Sequence, residues 1–162
     1  MTPAVEIALV VLDVDGVLTD GRLWYGPDGE TLKAFNVRDG HGIKSLVAAG
    51  VGVAVISGRR SAALMARMRE LGVADVAQGV SDKARALAEL LKRKAIDPRC
   101  VACLVDDTPD LGLMAAVGMP AAVADAHPEV LAAAKHVTRA AGGHGAVREF
   151  CDFLLAARDT GQ

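Results

Sequence analysis

Short apolar runs rich in β-branched residues alternate with amphipathic stretches along almost the whole chain. This alternation limits the fold more than any other feature. Ile7–Leu12, Val51–Ile56, Val73–Ala77, Val101–Val105 and Ala121–Ala124 read as strands. Gly42–Ala49, Ser61–Leu71, Ser81–Lys94, Leu111–Val117, Pro128–Lys135 and Ala146–Ala157 read as helices. Within the second of these, Leu64, Met68 and Leu71 share one face and Gly72 supplies the stop. Strands that are apolar on both faces need helices to cover each side. The pattern therefore predicts a three-layer α/β/α, Rossmann-like fold around a parallel sheet.

One segment breaks the rhythm. Arg22–Tyr25 and Thr31–Asn36 flank Gly26-Pro27-Asp28-Gly29, which predicts a β-hairpin over about residues 22–36. The 162 residues suit a single domain, with no repeat or linker to divide them. Residues 156–162 read as a C-terminal tail.

Composition narrows the function classes. Residues are 52% hydrophobic but only 3% aromatic, so Ala, Val and Leu must fill the core. Twenty acidic against 18 basic residues leave a net charge of −2, which argues against a dedicated nucleic-acid surface. The longest uncharged apolar run, Leu111 to Ala124, contains Gly118 and Pro120 and is too short to span a bilayer. No secretory signal is legible, because no basic residue opens the chain and Glu6 precedes the first apolar run. The expected compartment is the cytoplasm, and an odd count of three cysteines agrees. Cys100 and Cys103 have C-x-x-C spacing, but residues i and i+3 of a strand face opposite sides. His41, His127, His136 and His144 are scattered, so packing rather than zinc explains the pair.

Ligands of open parallel sheets bind at the carboxyl ends of the strands. Asp13 and Asp15 follow the first strand, Ser57-Gly58-Arg59 the second long one, and Asp106, Asp107 and Asp110 follow Val105. Asp13 and Asp15 would face opposite sides of a regular strand, so the chain must bend there, and Gly16 permits it. Converging carboxylates repel one another unless a divalent cation sits among them. A set of oxygen ligands alone suits Mg²⁺ before Ca²⁺, and no EF-hand spacing is present. A phosphate ligand also needs donors: the Ser57 hydroxyl, backbone N–H groups and the Lys83 charge supply them. These residues together make a phosphoryl-transfer site.

The order Asp13–Thr19, Ser57–Arg59, Lys83, Asp106–Asp110 resembles the haloacid-dehalogenase phosphatases. The resemblance implies that Asp13 attacks phosphorus to form an aspartyl-phosphate. Asp15 would protonate the leaving alcohol and later activate water. Mg²⁺ would be held by Asp13, the backbone carbonyl of Asp15, and Asp106. Ser57 and Lys83 would steady the phosphoryl group, while Asp107 and Asp110 orient Lys83 and metal-bound water. Val105 stands where the family commonly has glycine. The intervals Asp15–Ser57 and Lys83–Asp106 leave no room for a cap domain, so an oligomeric neighbour is expected to help close the site.

A closer resemblance runs from about Leu12 to Leu155. Phe35–Ile43, Gln78-Gly79, Ala122–Pro128 and Gly142–Glu149 are similar to the 3-deoxy-D-manno-octulosonate (KDO) 8-phosphate phosphatase family. That implies hydrolysis of a sugar-acid phosphate in lipopolysaccharide precursor biosynthesis, by a homotetramer whose hairpins meet centrally. It also assigns substrate contacts to Asn36, Val37, Arg38, Asp39, Gly40, Lys44, Arg59 and Arg67. Plainer readings compete for several of these. Arg67 and Lys44 suit solvated helix faces, and Arg38-Asp39 suits an ion pair capping the next helix. Gly142-Gly143 is either a turn or a moving lid, and Trp24-Tyr25 an interface, a solvent-facing pair or a core contact. Three other functions compete with the whole reading: a nine-carbon sugar-acid 9-phosphate (sialic acid or KDN) phosphatase, a phospho-accepting receiver domain, and a non-catalytic assembly module. A receiver would need an acceptor Asp after the third strand, where Val76–Gly79 has none.

Overall fold

The computed structural model describes residues 6–160. In chain order, β1 (Leu9–Leu12) leads into a hairpin, β2 (Trp24–Gly26) and β3 (Gly29–Leu32), and then α1 (Val37–Ala48). There follow β4 (Gly52–Ile56), α2 (Ala62–Leu71), β5 (Asp75–Ala77), α3 (Lys83–Lys94) and β6 (Val101–Val105). The chain ends with α4 (Leu111–Ala115), β7 (Met119–Ala122), α5 (Pro128–Ala133), β8 (His136–Val137) and α6 (Ala146–Asp159).

Six strands pair in parallel in the order β5-β4-β1-β6-β7-β8, and the hairpin stands apart as an antiparallel pair. Every residue of β1 and β6 is buried, which is why these segments carry no alternation. Helices α1, α2 and α6 cover one face, with α1 against α6, and α3, α4 and α5 cover the other. Gly42 sets the α1–α6 distance, since a Cβ there would meet the backbone of Arg148 at 3.1 Å. Phe150 of α6 is fully buried, and truncating such a residue to Ala typically costs about 3–5 kcal/mol. Ser61 and Asp82 cap α2 and α3 by accepting the N–H of Leu64 and Arg85, each cap contributing roughly 1 kcal/mol.

After β5 the chain crosses back over β4 and β1 to place β6 on the far side of β1. Strand order therefore reverses between β1 and β6, and the crevice at their carboxyl ends is the ligand position of such sheets. Only the hairpin and α1 lie between β1 and β4, and only α3 with a single 3₁₀ turn between β5 and β6, so no cap domain is present among the described residues. No helix among them is long and apolar enough to cross a membrane.

Several elements differ from expectation, β7 for one lying at Met119–Ala122 rather than Ala121–Ala124. Helix α1 starts at Val37 rather than Gly42, because Asn36 caps it by accepting the Arg38 N–H. Helix α6 continues through residues 156–159 instead of fraying into a tail, and Arg158 donates to Glu6 at 2.9 Å. Residues 161–162 of the expected tail lie outside the described residues. Strand β8, two residues long at the sheet edge, is too short to leave a sequence pattern.

Candidate active site

The Asp13 N–H still donates to Leu104 O at 3.2 Å, so the ladder between β1 and β6 extends to the first acidic residue and fixes its backbone. Beyond it, Val14 O accepts the N–H groups of Val17, Leu18 and Thr19, and the Thr19 hydroxyl accepts that of Gly16. Gly16 has φ +86°, and a Cβ there would collide with the Asp106 carboxylate. Glycine is thus needed twice, for the turn and for the approach of Asp106.

Side-chain oxygens of Asp13, Asp106 and Asp110 lie within 4.8 Å of one another. Lys83, first residue of α3, reaches Asp13 Oδ1 at 2.8 Å and Asp110 Oδ1 at 2.7 Å. The second is a charge contact without hydrogen-bond alignment, so Asp110 Oδ1 keeps an unsatisfied lone pair. Burial pushes the Asp106 and Asp110 carboxyls above their usual range, and the Asp13 charge adds to it. Burial works against the Lys83 charge, but Asp13 and Asp110 outweigh it and hold the ammonium above its ordinary value. Three carboxylates against one ammonium leave an excess of negative charge over oxygen ligands alone. An orphaned carboxylate oxygen in such a set fits a hard divalent cation.

Ser57 is buried at the end of β4, held by its N–H to Ala77 O and by its carbonyl accepting from Val80. Its hydroxyl accepts the Arg59 N–H at 3.2 Å. The Asp15 carboxylate turns away from the acidic cluster. Its Oδ1 lies 2.6 Å from Lys33 Nζ, which also reaches Glu30 Oε1 at 2.8 Å. Burial opposes the Lys33 charge, yet the hydrogen bonds to Asp15 and Glu30 raise its pKa overall. Arg59 binds Glu30 Oε2 at 3.1 Å and the Tyr25 hydroxyl at 3.0 Å, and comes within 4.0 Å of Asp15. Sequence reasoning missed Lys33, Glu30 and the contact of the Tyr25 hydroxyl with Arg59. Glu30 and Lys33 are three apart in an extended segment, which would put them on opposite sides. A register shift pairs Trp24 with Leu32 and Tyr25 with Glu30, leaving Thr31 as the extra residue and bringing the two charges together.

Other expected site residues fall elsewhere. Asp107 faces solvent and caps a 3₁₀ turn through Thr108 N–H, so it does not orient Lys83; Asp110 does. Asp39 is 1% exposed, and its Oδ1 accepts the Arg148 N–H at the start of α6. Because α1 begins at Val37, helical spacing turns Asp39 and Gly40 inward, against α6 and Arg67. Gly40 lies under the guanidinium of Arg67, which pairs with Glu70 at 3.0 Å. Lys44 is exposed on α1. Asn36, Val37 and Arg38 line a groove of about 890 Å³ with His144, Arg148 and Phe153, which includes none of Asp13, Asp15, Ser57, Lys83 and Asp106. Of the eight expected substrate contacts, only Arg59 comes within ion-pair distance of an expected catalytic carboxylate, Asp15. Gly142 and Gly143 form a turn, and that turn is held in place: Gly143 N–H donates to Val17 O, Gly142 N–H to Asp125, and a Cβ on Gly142 would overlap Gly16 O. Cys103 and Cys151 are buried free thiols, pushed up to about 12 by burial.

An aspartate at the end of the central strand, tied to a helix-borne lysine and flanked by carboxylates from the neighbouring strand, is the working end of a haloacid dehalogenase-type phosphoryl hydrolase. The family model for haloacid dehalogenase-like hydrolases matches residues 68–150. The 3-deoxy-D-manno-octulosonate 8-phosphate phosphatase KdsC of Yersinia pestis is 50% identical over 156 residues, 96% of this chain and 83% of its own. The crystal structure of the phosphatase of that name from Yersinia pestis superposes with a TM-score of 0.94 over 97% of this chain and 85% of that one, at 50% identity. A Moraxella catarrhalis phosphatase of the same name, solved with magnesium, phosphate and KDO, gives 0.93 at 39% identity over 98% of this chain and 91% of its own. This chain belongs to the KDO 8-phosphate phosphatase family.

Proposed function

We propose that this protein is a Mg²⁺-dependent phosphatase that hydrolyses KDO 8-phosphate to KDO and phosphate. The observation that carries the reading is the Lys83 bridge between Asp13 and Asp110 beside Asp106, in a chain so similar to phosphatases of that name. The Moraxella relative holds magnesium, phosphate and KDO together, which supports both the ion and the sugar acid.

Asp13 Oδ attacks phosphorus, the bond from phosphorus to the sugar oxygen breaks, and Asp15 gives that oxygen its proton. Water then loses a proton to Asp15 and attacks the phosphorus of the aspartyl-phosphate, releasing phosphate and restoring Asp13. Lys83 and the Ser57 hydroxyl orient the phosphoryl oxygens throughout. Mg²⁺, held by Asp13, Asp106 and the Asp15 carbonyl, supplies the divalent counter-charge that these buried carboxylates and the phosphoryl group need. Asp110 anchors Lys83 and adds a further oxygen to that set.

A homotetramer is part of this reading. Trp24 and Leu32 form a cross-strand pair, 49% and 51% exposed, on a hairpin with little core of its own. Packing hairpins together would bury this pair and bring neighbours to each open site. Val37, Arg38 and Lys44, exposed on α1, are then available to a neighbouring chain. The cytoplasm is the proposed compartment, consistent with three unpaired cysteines.

A phosphate-release screen tests the reading with KDO 8-phosphate, N-acetylneuraminate 9-phosphate, KDN 9-phosphate and hexose phosphates. The highest kcat/KM is expected for KDO 8-phosphate, with turnover lost on chelation and in Asp13→Asn. A clear preference for a nine-carbon 9-phosphate would replace the substrate, and full turnover by Asp13→Asn would overturn the mechanism.

A further inference from the structure

The hairpin does more in this structure than present an apolar face. Its inner side is tied to the active site by ion pairs and hydrogen bonds, through a relay running Asp15–Lys33–Glu30–Arg59–Tyr25. Lys33 is the centre of that relay. Its side chain is only 3% exposed, and burying an ammonium is costly unless opposite charges surround it. Here Asp15 stands on one side at 2.6 Å and Glu30 on the other at 2.8 Å. Glu30 is in turn held from behind by Arg59, so Lys33 has little freedom to swing away.

The consequence falls on Asp15. A carboxylate on a mobile side chain spreads over several rotamers, and only some aim a proton at the leaving oxygen. Lys33 occupies Oδ1, which leaves Oδ2 as the oxygen free of a hydrogen bond; its nearest cation, Arg59 Nε, is 4.0 Å away. The two oxygens are thereby distinguished, one as an anchor and one as the carrier of the proton.

We propose that Lys33 is a positioning residue for Asp15, fixing the carboxylate so that Oδ2 exchanges the proton with the sugar oxygen and with water. This inference rests on Asp15 being the acid and base of the proposed reaction. Lys33 acts through Asp15 and not on the phosphoryl group, which belongs to Lys83 and Ser57. Its loss therefore matters most when the leaving oxygen needs a proton.

Leaving-group dependence tests this with the full-length protein and two substrates. KDO 8-phosphate expels an alkoxide that must be protonated, whereas p-nitrophenyl phosphate expels a stable phenolate. Lys33→Met is expected to lower kcat on the sugar phosphate by about 10–100-fold with KM changed less than about threefold, and on the aryl phosphate by no more than a few fold. Lys33→Arg, which keeps the charge, should recover part of the loss. Glu30→Gln, which loosens the relay from behind and keeps Lys33, should show the same split at smaller size. That variant carries the test if Lys33→Met fails to fold. Equal losses on both substrates, or no loss on the sugar phosphate, would overturn the proposal. Asp15→Asn is measured alongside: without the alkyl–aryl split there, the acid–base reading of Asp15 itself fails. The split in Asp15→Asn but not in the Lys33 or Glu30 variants would sink only the positioning role.

Discussion

Lys83 and Asp13 lie 70 positions apart in the chain, yet their side chains meet at 2.8 Å at the crevice beyond β1. Two parallel strands and a crossover helix make that meeting. β1 carries Asp13 to the carboxyl edge, and α3, starting at the same edge, brings Lys83 down beside it.

From this contact the first prediction follows. Lys83→Met should lower kcat on the order of 10²–10³-fold, because the charge facing the transferring phosphoryl group is gone. It also leaves Asp13 and Asp110, beside Asp106, without their shared ammonium. The thermal midpoint should therefore rise more on adding Mg²⁺ than in wild type, by linkage to binding at the folded site. Calorimetry with and without the ion reads this directly; an equal rise in both proteins would argue against a shared charge balance.

Asp39 gives stability a pH dependence. Burial raises its folded pKa from 3.8 to about 6, above that of the unfolded chain. In that window the folded state keeps a proton that the unfolded state has released, so stability falls as pH rises from about 4 to 6. Asp39→Asn removes the titration while keeping an oxygen for the Arg148 N–H. Between pH 4 and 7 the variant should gain on wild type by on the order of 2–3 kcal/mol. Urea titrations with saturating Mg²⁺ check it, and a constant difference across the range would show that Asp39 is not the group involved.

Gly142 is packed too tightly for any side chain. An added Cβ would meet the Gly16 backbone carbonyl, which cannot move without shifting the turn that carries Asp15. Gly142→Ala should lose about 1–3 kcal/mol of stability and reduce turnover as well. If Gly142–Gly145 instead moved as a free lid, the substitution would leave the melting temperature unchanged.

The two faces of the hairpin can be separated. Trp24 and Leu32 point away from the relay that includes Tyr25, so Trp24→Glu with Leu32→Glu should break association while sparing the Arg59 contacts. Sedimentation is expected to show a smaller species with lower kcat/KM on the sugar phosphate. An unchanged tetramer would place the interface elsewhere, and a fully active monomer would show that neighbours are not needed.

Much of the architecture was legible because parallel α/β folding is written in local pattern. Continuous apolar runs mark strands buried on both faces, and capping residues such as Ser61 and Asp82 mark where helices begin. Once the sheet is parallel, all carboxyl ends share an edge. The acidic residues after β1 and β6, and Ser57 after β4, then gather without further information.

Tertiary structure alone decided what each polar group touches. Asp39 looks like a residue of a substrate loop, yet it caps a helix 109 positions away, because α1 starts early enough to turn it inward. Asp110 and Asp107 are equivalent in sequence, but only Asp110 faces Lys83. Lys33 carries no sequence signal at all, and only the shift at Thr31 sets it between Asp15 and Glu30. Sequence period encodes which face of its own element a residue occupies. Which charge it meets across elements depends on bulges, caps and close backbone approaches, and these form only when the whole chain packs.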